Sequence, residues 1–376
     1  MLSISSAEFK RRAKWDLTIS KCITNRGKTS VPARKQNMIE RILCVGLRGS
    51  VAEAATIAED ESSRHIAEFF VGAPPDMGPT GRFKGLFPST LNSIREIAAL
   101  SHKRGIELNV LLNTPCVSQQ EFDPAYLAKF RTFISSIEDA GADWVTLGHP
   151  MLIKAAAASR RSLKINTSTF SHIDSPLLAK EFEKLGADRI NLRQNANRNL
   201  AMIRRIARYI ALPLEIYVNT RCINAGFCPF GIAHANFKSH QPLLGEREGA
   251  GVRDPYVSGF CGPRRSANLT DLLFTATIRP EDLHFFEDAG ATLFKLATRT
   301  VEPKQTLNYV KAYGERRFDG AFGALFSMDS RATFSNRVLD GLFEKVKDLN
   351  EEDQLDAYRE FTEANSSLLR GEPRPA

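Results

Sequence analysis

A parallel eight-stranded (β/α) barrel of the TIM-barrel-like kind, in the α/β class, is the fold this sequence predicts, and three observations predict it. A phrase recurs: DAGADWVTL (139–147), KLGADRINL (184–192) and DAGATLFKL (288–296) each read as a helix end, a glycine and then a short β-rich run. Glycine at a helix terminus supplies the left-handed conformation that ends the helix, and the apolar run after it is a buried strand. Extending the pattern gives eight strands, near 42–47, 67–72, 107–113, 143–148, 162–167, 189–193, 213–219 and 292–296. Amphipathic stretches such as LNSIREIAALSHKRG and PAYLAKFRTFISSIEDAG lie between most of them. Strict alternation of strand and helix favours a parallel barrel, with a doubly wound open sheet as the runner-up, and places function at the strands' C-terminal ends.

Along the chain, residues 1–37 read as a basic, flexible extension. The first forty residues hold nine Lys/Arg against three Asp/Glu, whereas the other 336 are nearly balanced, with 42 basic and 40 acidic side chains. A fold that tracks nucleic-acid phosphates spreads its positive excess over a face, so the balanced body supports that class only weakly. The barrel is expected over 38–315. Within it the rhythm breaks at 219–280, about sixty residues rich in Gly, Pro, Arg and Cys, too long for a bare connection and read as an insertion over the barrel mouth. A helix near 302–315 follows, then a C-terminal helical extension and tail over 316–376. The composition, 43% hydrophobic and 25% charged, is that of a globular protein and excludes collagenous or disordered classes. There is no apolar run long enough for a membrane span and no secretory core, so a cytoplasmic protein is expected.

Six cysteines occur. In a cytoplasmic chain of this length disulfides are not expected, which leaves metal binding or burial. Cys44 lies inside the first strand and reads as a small core residue, and Cys22 falls in the basic extension. Cys116 follows the third strand, Cys222 and Cys228 follow the seventh, and Cys261 lies in the insertion, so a barrel gathers all four at one end. Four thiolates fit a tetrahedral zinc or an iron–sulfur cluster. One pair with five residues between its members, and two remote singles, favours a cluster over a zinc knuckle, while scattered buried thiols remain open on spacing alone.

Polar residues at strand ends complete the candidate site. Arg193 suits a carboxylate, which a guanidinium clamps bidentately. Arg82, Lys295 and Arg299 are placed to do the same, and His149 and His172 lie at other strand ends where barrels put site residues. His234 and His240 follow Cys228 and suit acid–base work or a fourth iron ligand, against the plainer role of packing a helix. Glu215 is expected to be a buried, paired carboxylate. HExxH and GxSxG are both absent, so neither a zincin nor a nucleophile elbow is marked; a cysteine nucleophile with a histidine stays open, and it would use the same thiols.

The stretch INTSTFSHIDSPLLAKEFEKLGADRINLRQNANRNLAMIRRIARYIALPLEIYVNTRCINAGFC (165–228) resembles the collagenase-like peptidase family U32. RPEDLHFFEDAGATLFKLATR (279–299) and AEFFVGAPPDMGPTGRF (67–83) resemble its later and earlier motifs in the same order. The resemblance implies a four-iron four-sulfur (4Fe–4S) cluster on four cysteines. It also implies oxygen-independent hydroxylation of a small molecule or an RNA base, with prephenate as oxygen donor. By position Cys222, Cys228 and Cys261 match the family's cysteine motif, and Cys116 matches a branch with LN-x-x-C. A peptidase, or a cluster-bearing subunit that forms a heterodimer with a homologous partner, are the alternatives. CINAGFCPFGIAHANFKSH and FKLATR depart from the usual family wording, and that leaves the substrate open.

Overall fold

The computed structural model describes residues 41–74, 89–223, 228–248, 254–326 and 334–369, without the side chains of 195 and 240–248. The basic extension, Arg82 and the side chain of His240 lie outside the described residues.

All eight expected strands are present: β1 Leu43–Gly46, β2 Ile66–Gly72, β3 Glu107–Leu112, β4 Trp144–Leu147, β5 Lys164–Thr167, β6 Ile190–Asn191, β7 Leu214–Tyr217 and β8 Ala291–Leu296. They pair in parallel in the order β5-β4-β3-β2-β1-β8-β7-β6. A parallel bridge between Asn166 and Arg189 joins the two ends, with Thr167 N–H donating to the Arg189 carbonyl at 3.0 Å. The structure is therefore a nearly closed (β/α)8 barrel, and the open-sheet alternative is excluded.

Helices α1 Val51–Glu59, α2 Leu91–His102, α3 Pro124–Asp139, α4 Pro150–Ala157, α5 Pro176–Lys184 and α6 Leu200–Tyr209 fill the intervals between β1 and β7. Their starts carry side-chain caps: Ser50, Thr90, Asp123, His149, Ser175 and Asn199 each accept a first-turn backbone N–H. The three repeat glycines do the work their pattern predicts. Gly141, Gly186 and Gly290 have φ of 91°, 105° and 106°. A Cβ on Gly186 or Gly290 would stand 2.4 Å from the Cβ of Ala157 or Ala207 on the neighbouring helix. The glycine thus both turns the chain and lets helix and strand approach closely.

Strand alternation splits the barrel into two cores. Leu43, Val45, Phe69, Val71, Leu108, Val110, Val145, Ile165, Ile216 and Phe294 point outward into one large cluster with the helices. Cys44, Phe70 and Leu111 form a separate cluster inside.

Beyond β7 come α7 Gly231–Glu248, a single π-helical turn Val257–Cys261, α8 Gly262–Ala267, α9 Leu269–Leu273 and α10 Leu283–Asp288. After β8 follow α11 Pro303–Gly314, α12 Leu342–Val346, α13 Glu351–Ala364 and α14 Ser366–Leu369. Phe343, Val346, Tyr358 and Leu369 join the outer core. Buried Arg198 fastens this C-terminal segment, donating to Tyr358 Oη at 3.0 Å and to the Leu273 and Thr275 carbonyls. No described helix is long and apolar enough to cross a membrane.

Candidate functional site at the barrel mouth

A cavity of about 300 Å³ opens at the C-terminal ends of the strands, under the insertion. Asn113 after β3, Thr169 and His172 after β5, Arg193 after β6, Asn219 to Ile223 after β7, and Arg299 after β8 form its floor and walls. The insertion supplies Cys228, Phe230, His234, Lys238, Tyr256, Phe260, Cys261 and Arg265. Among the described residues no aspartate or glutamate lines it, while four arginines and a lysine do.

Cys222, Cys228 and Cys261 all line this cavity, half-buried and not in disulfides. Each is placed by a different device. The strand end carrying Cys222 is pinned from one side: Ala276 N–H donates to the Cys222 carbonyl at 2.9 Å, Thr277 Oγ1 to the Thr220 carbonyl at 2.7 Å and Ile278 N–H to the Val218 carbonyl at 2.7 Å. Cys261 ends the π-helical turn, a distortion often found at functional sites. A Cβ on Gly262 would stand 2.5 Å from the Val257 carbonyl oxygen, so only glycine lets that turn close. Cys228 stands three residues before the first residue of α7. The three Sγ atoms do not all fall within 4.8 Å of one another. Cys116, half-buried in the β3–α3 loop, is not among the lining residues; its carbonyl accepts from Thr114 Oγ1 at 2.8 Å. The next turn of that loop holds Ser118 and Gln119 at φ of 54° and 69°.

The other expected residues divide. Arg193, His172, His234 and Arg299 line the cavity. Arg193 pairs with Asp174 at 3.1 Å, and His234 bonds Asp254 at 2.7 Å while stacking on Tyr256. Burial pulls the Asp254 carboxyl up, but His234 and Lys238 outweigh it and hold the group below the usual range. His172 adopts the left-handed conformation at φ 51°, and both of its ring nitrogens are buried without a hydrogen-bond partner. Burial, reinforced by Arg193, holds its imidazole below the ordinary histidine range, so it is neutral at pH 7. Thr169 Oγ1 and Asn219 Nδ2, on the same cavity, are likewise buried without partners.

His149 and Lys295 are elsewhere. His149 caps α4 and lies 3.5 Å from Glu121, outside the cavity lining. Lys295 is not a mouth residue: it is buried inside the barrel, with its Nζ 2.8 Å from Glu215. The correction is one of strand phase, since inward-facing Lys295 lies two residues below Ala297, which does reach the cavity.

Lys295 belongs to a layer that the sequence reading missed apart from Glu215. Arg189 bridges Glu68 at 2.5 Å and Glu215 at 3.0 Å and lies over the Trp144 ring. Asn109 donates to Glu68, and Asn166 and Asn191 donate to Glu215. Burial pushes the Glu68 carboxyl up, whereas at Glu215 the same burial is overcome by Lys295 and Arg189. Cys44 and these two carboxylates form a group of three donors within 4.8 Å that could hold a metal ion, but Arg189 and Lys295 already answer both carboxylates. The available signal was one polar residue at inward phase in six different strand segments: Glu68, Asn109, Asn166, Asn191, Glu215 and Lys295.

The sequence model of Peptidase family U32 matches residues 86–226. Among solved structures the chain is similar to the U32 peptidase Mk0906, at 18% identity and TM-score 0.50, over 72% of this chain and 98% of that one. It is also similar to a native KDPGal structure, at 10% identity and TM-score 0.42, over 77% of this chain and 96% of the other. No curated protein sequence matches the chain.

Proposed function

We propose, with the family U32 match over residues 86–226 as premise, that this protein is an iron–sulfur enzyme. In this reading Cys222, Cys228 and Cys261 hold a 4Fe–4S cluster, with Cys116 from the β3–α3 loop as the fourth ligand. The observation that carries it is the convergence of three cysteines from separate segments on one cation-rich cavity at the functional end of a barrel. The donor set fits the group: soft thiolates need positive surroundings, and four arginines and a lysine line the cavity, two of these cations paired with Asp174 or Asp254 behind it.

The cluster, when bound, supplies one-electron redox chemistry for an oxygen-independent hydroxylation. The chain's own residues bind and orient the reactants. Arg193 and Arg299 hold the carboxylate of an acidic small molecule such as prephenate. Phe230, Tyr256 and Phe260 offer ring faces to a planar substrate, a small molecule or an RNA base. Neutral His172 accepts or returns a proton without a competing partner.

Iron and sulfide content on protein purified without oxygen tests this reading. About four irons per chain are expected, lost in Cys222→Ala, Cys228→Ala and Cys261→Ala and reduced in Cys116→Ala. The His234–Asp254 pair on the same cavity favours a second reading, a thiol peptidase whose histidine is oriented by a carboxylate. That protein would work without iron and stop on alkylation.

A further inference from the structure

We infer that Arg265 is the positioning residue of the cysteine site: it ties the Cys222 segment to the Cys261 helix and supplies the buried positive charge that a thiolate cluster needs. The inference rests on the cluster reading above.

Three observations place it there. Arg265 follows Cys261 by four residues, one turn along the helical segment that Cys261 begins, so the two share a face. Its Nη1 donates to the carbonyl of Arg221, the residue before Cys222, at 2.9 Å. One guanidinium therefore links two cysteine-bearing segments that are far apart in sequence. The residue also lines the cavity itself.

Its charge is unanswered. Arg265 is 8% exposed, its Nε is buried without a partner, and it pairs with no carboxylate among the described residues. Its neighbour Arg264, by contrast, pairs with Asp271 at 3.0 Å. Elsewhere in this chain buried arginines have more partners: Arg189 ion-pairs with two carboxylates, though its Nε also lacks a hydrogen bond, and Arg198 has three carbonyls and a phenol. A buried guanidinium with one carbonyl contact is costly unless an anion stands beside it. The lining offers three cysteine sulfurs for that role, thiolates once a metal binds, and no carboxylate. Nearby positive charge and N–H donors stabilise the reduced, more negative form of a cluster and so raise its potential.

The test compares wild type, Arg265→Gln and Arg265→Lys, all purified without oxygen, by iron content and by redox titration of the visible absorption. Glutamine keeps a donor for the Arg221 carbonyl but removes the charge. Its reduction equilibrium is expected to fall at least tenfold, 59 mV for one electron. Lysine keeps the charge and loses the fork, so its potential stays within tenfold of wild type while its iron content drops. If wild type holds iron and Arg265→Gln matches it in iron and potential, the inference is overturned and the cluster stands. If wild type holds no iron, the cluster reading falls and takes this one with it. Should Arg265→Gln fail to fold, the lysine variant decides: a tenfold or larger drop in its reduction equilibrium overturns the role of charge.

Discussion

Buried charge is treated in opposite ways at two levels of this barrel. In the interior layer Glu68, Glu215, Arg189 and Lys295 are at most 2% exposed, and each cation lies against at least one carboxylate. At the mouth, Arg265, His172, Thr169 and Asn219 hold buried polar atoms that nothing answers. Answered charges make structure, because two carboxylates against two cations leave no net charge to bring in a ligand. The interior also leaves Asn166 Oδ1, Asn191 Oδ1 and Arg189 Nε without hydrogen bonds, so the contrast lies in the charge: a buried cation with no carboxylate costs stability, and a fold keeps one where a ligand completes it.

The largest expected effect is at Arg189. Replacing it with methionine leaves Glu68 and Glu215 facing each other without their shared cation, and stability should fall by about 3–5 kcal/mol in urea denaturation. A loss under about 1 kcal/mol would mean that the interior layer is dispensable.

A second effect separates buried groups with and without adequate partners. Asp282, beside Arg279 at 3.9 Å, is pushed by burial up to about 6 from 3.8. The folded chain thus holds this proton more tightly than the unfolded one. Its contribution is complete below about pH 4 and is lost as pH rises through about 6, on the order of 3 kcal/mol. Asp282→Asn should flatten that part of the stability profile and raise Tm at pH 7, and an unchanged slope would assign the pH dependence to other groups.

The smallest effect sharpens the functional side. His172→Gly removes an imidazole that makes no hydrogen bond and relieves a left-handed backbone. Stability should hold or rise by up to about 1 kcal/mol while turnover is lost. A variant that keeps full activity would return His172 to a packing role.

The scaffold was legible because its signals are local. Gly141, Gly186 and Gly290 each mark a helix end and a strand start, and those three fixed the period on which the other strands were placed. The gathering of Cys222, Cys228 and Cys261 was legible for a related reason, since a barrel brings all strand ends to one face. Inward phase was harder to read. Lys295 reads as a mouth residue until the pairing of β8 with β1 sets which side chains face in, and Glu68 meets Arg189 only through barrel closure, at 121 residues' separation. Arg265 lies in an insertion without strand or helix periodicity, and its spacing from Cys261 was the one available sign. The orphaned nitrogens of His172 follow from packing of several loops and have no sequence signature.

Cluster binding is tested most directly by the thermal midpoint of iron-free protein before and after anaerobic reconstitution with ferrous iron and sulfide. A ligand that binds only the folded state raises Tm by mass action. A rise is expected for wild type and for His172→Gly, and none for Cys222→Ala. A wild-type midpoint that does not move, with no iron retained, would contradict cluster binding.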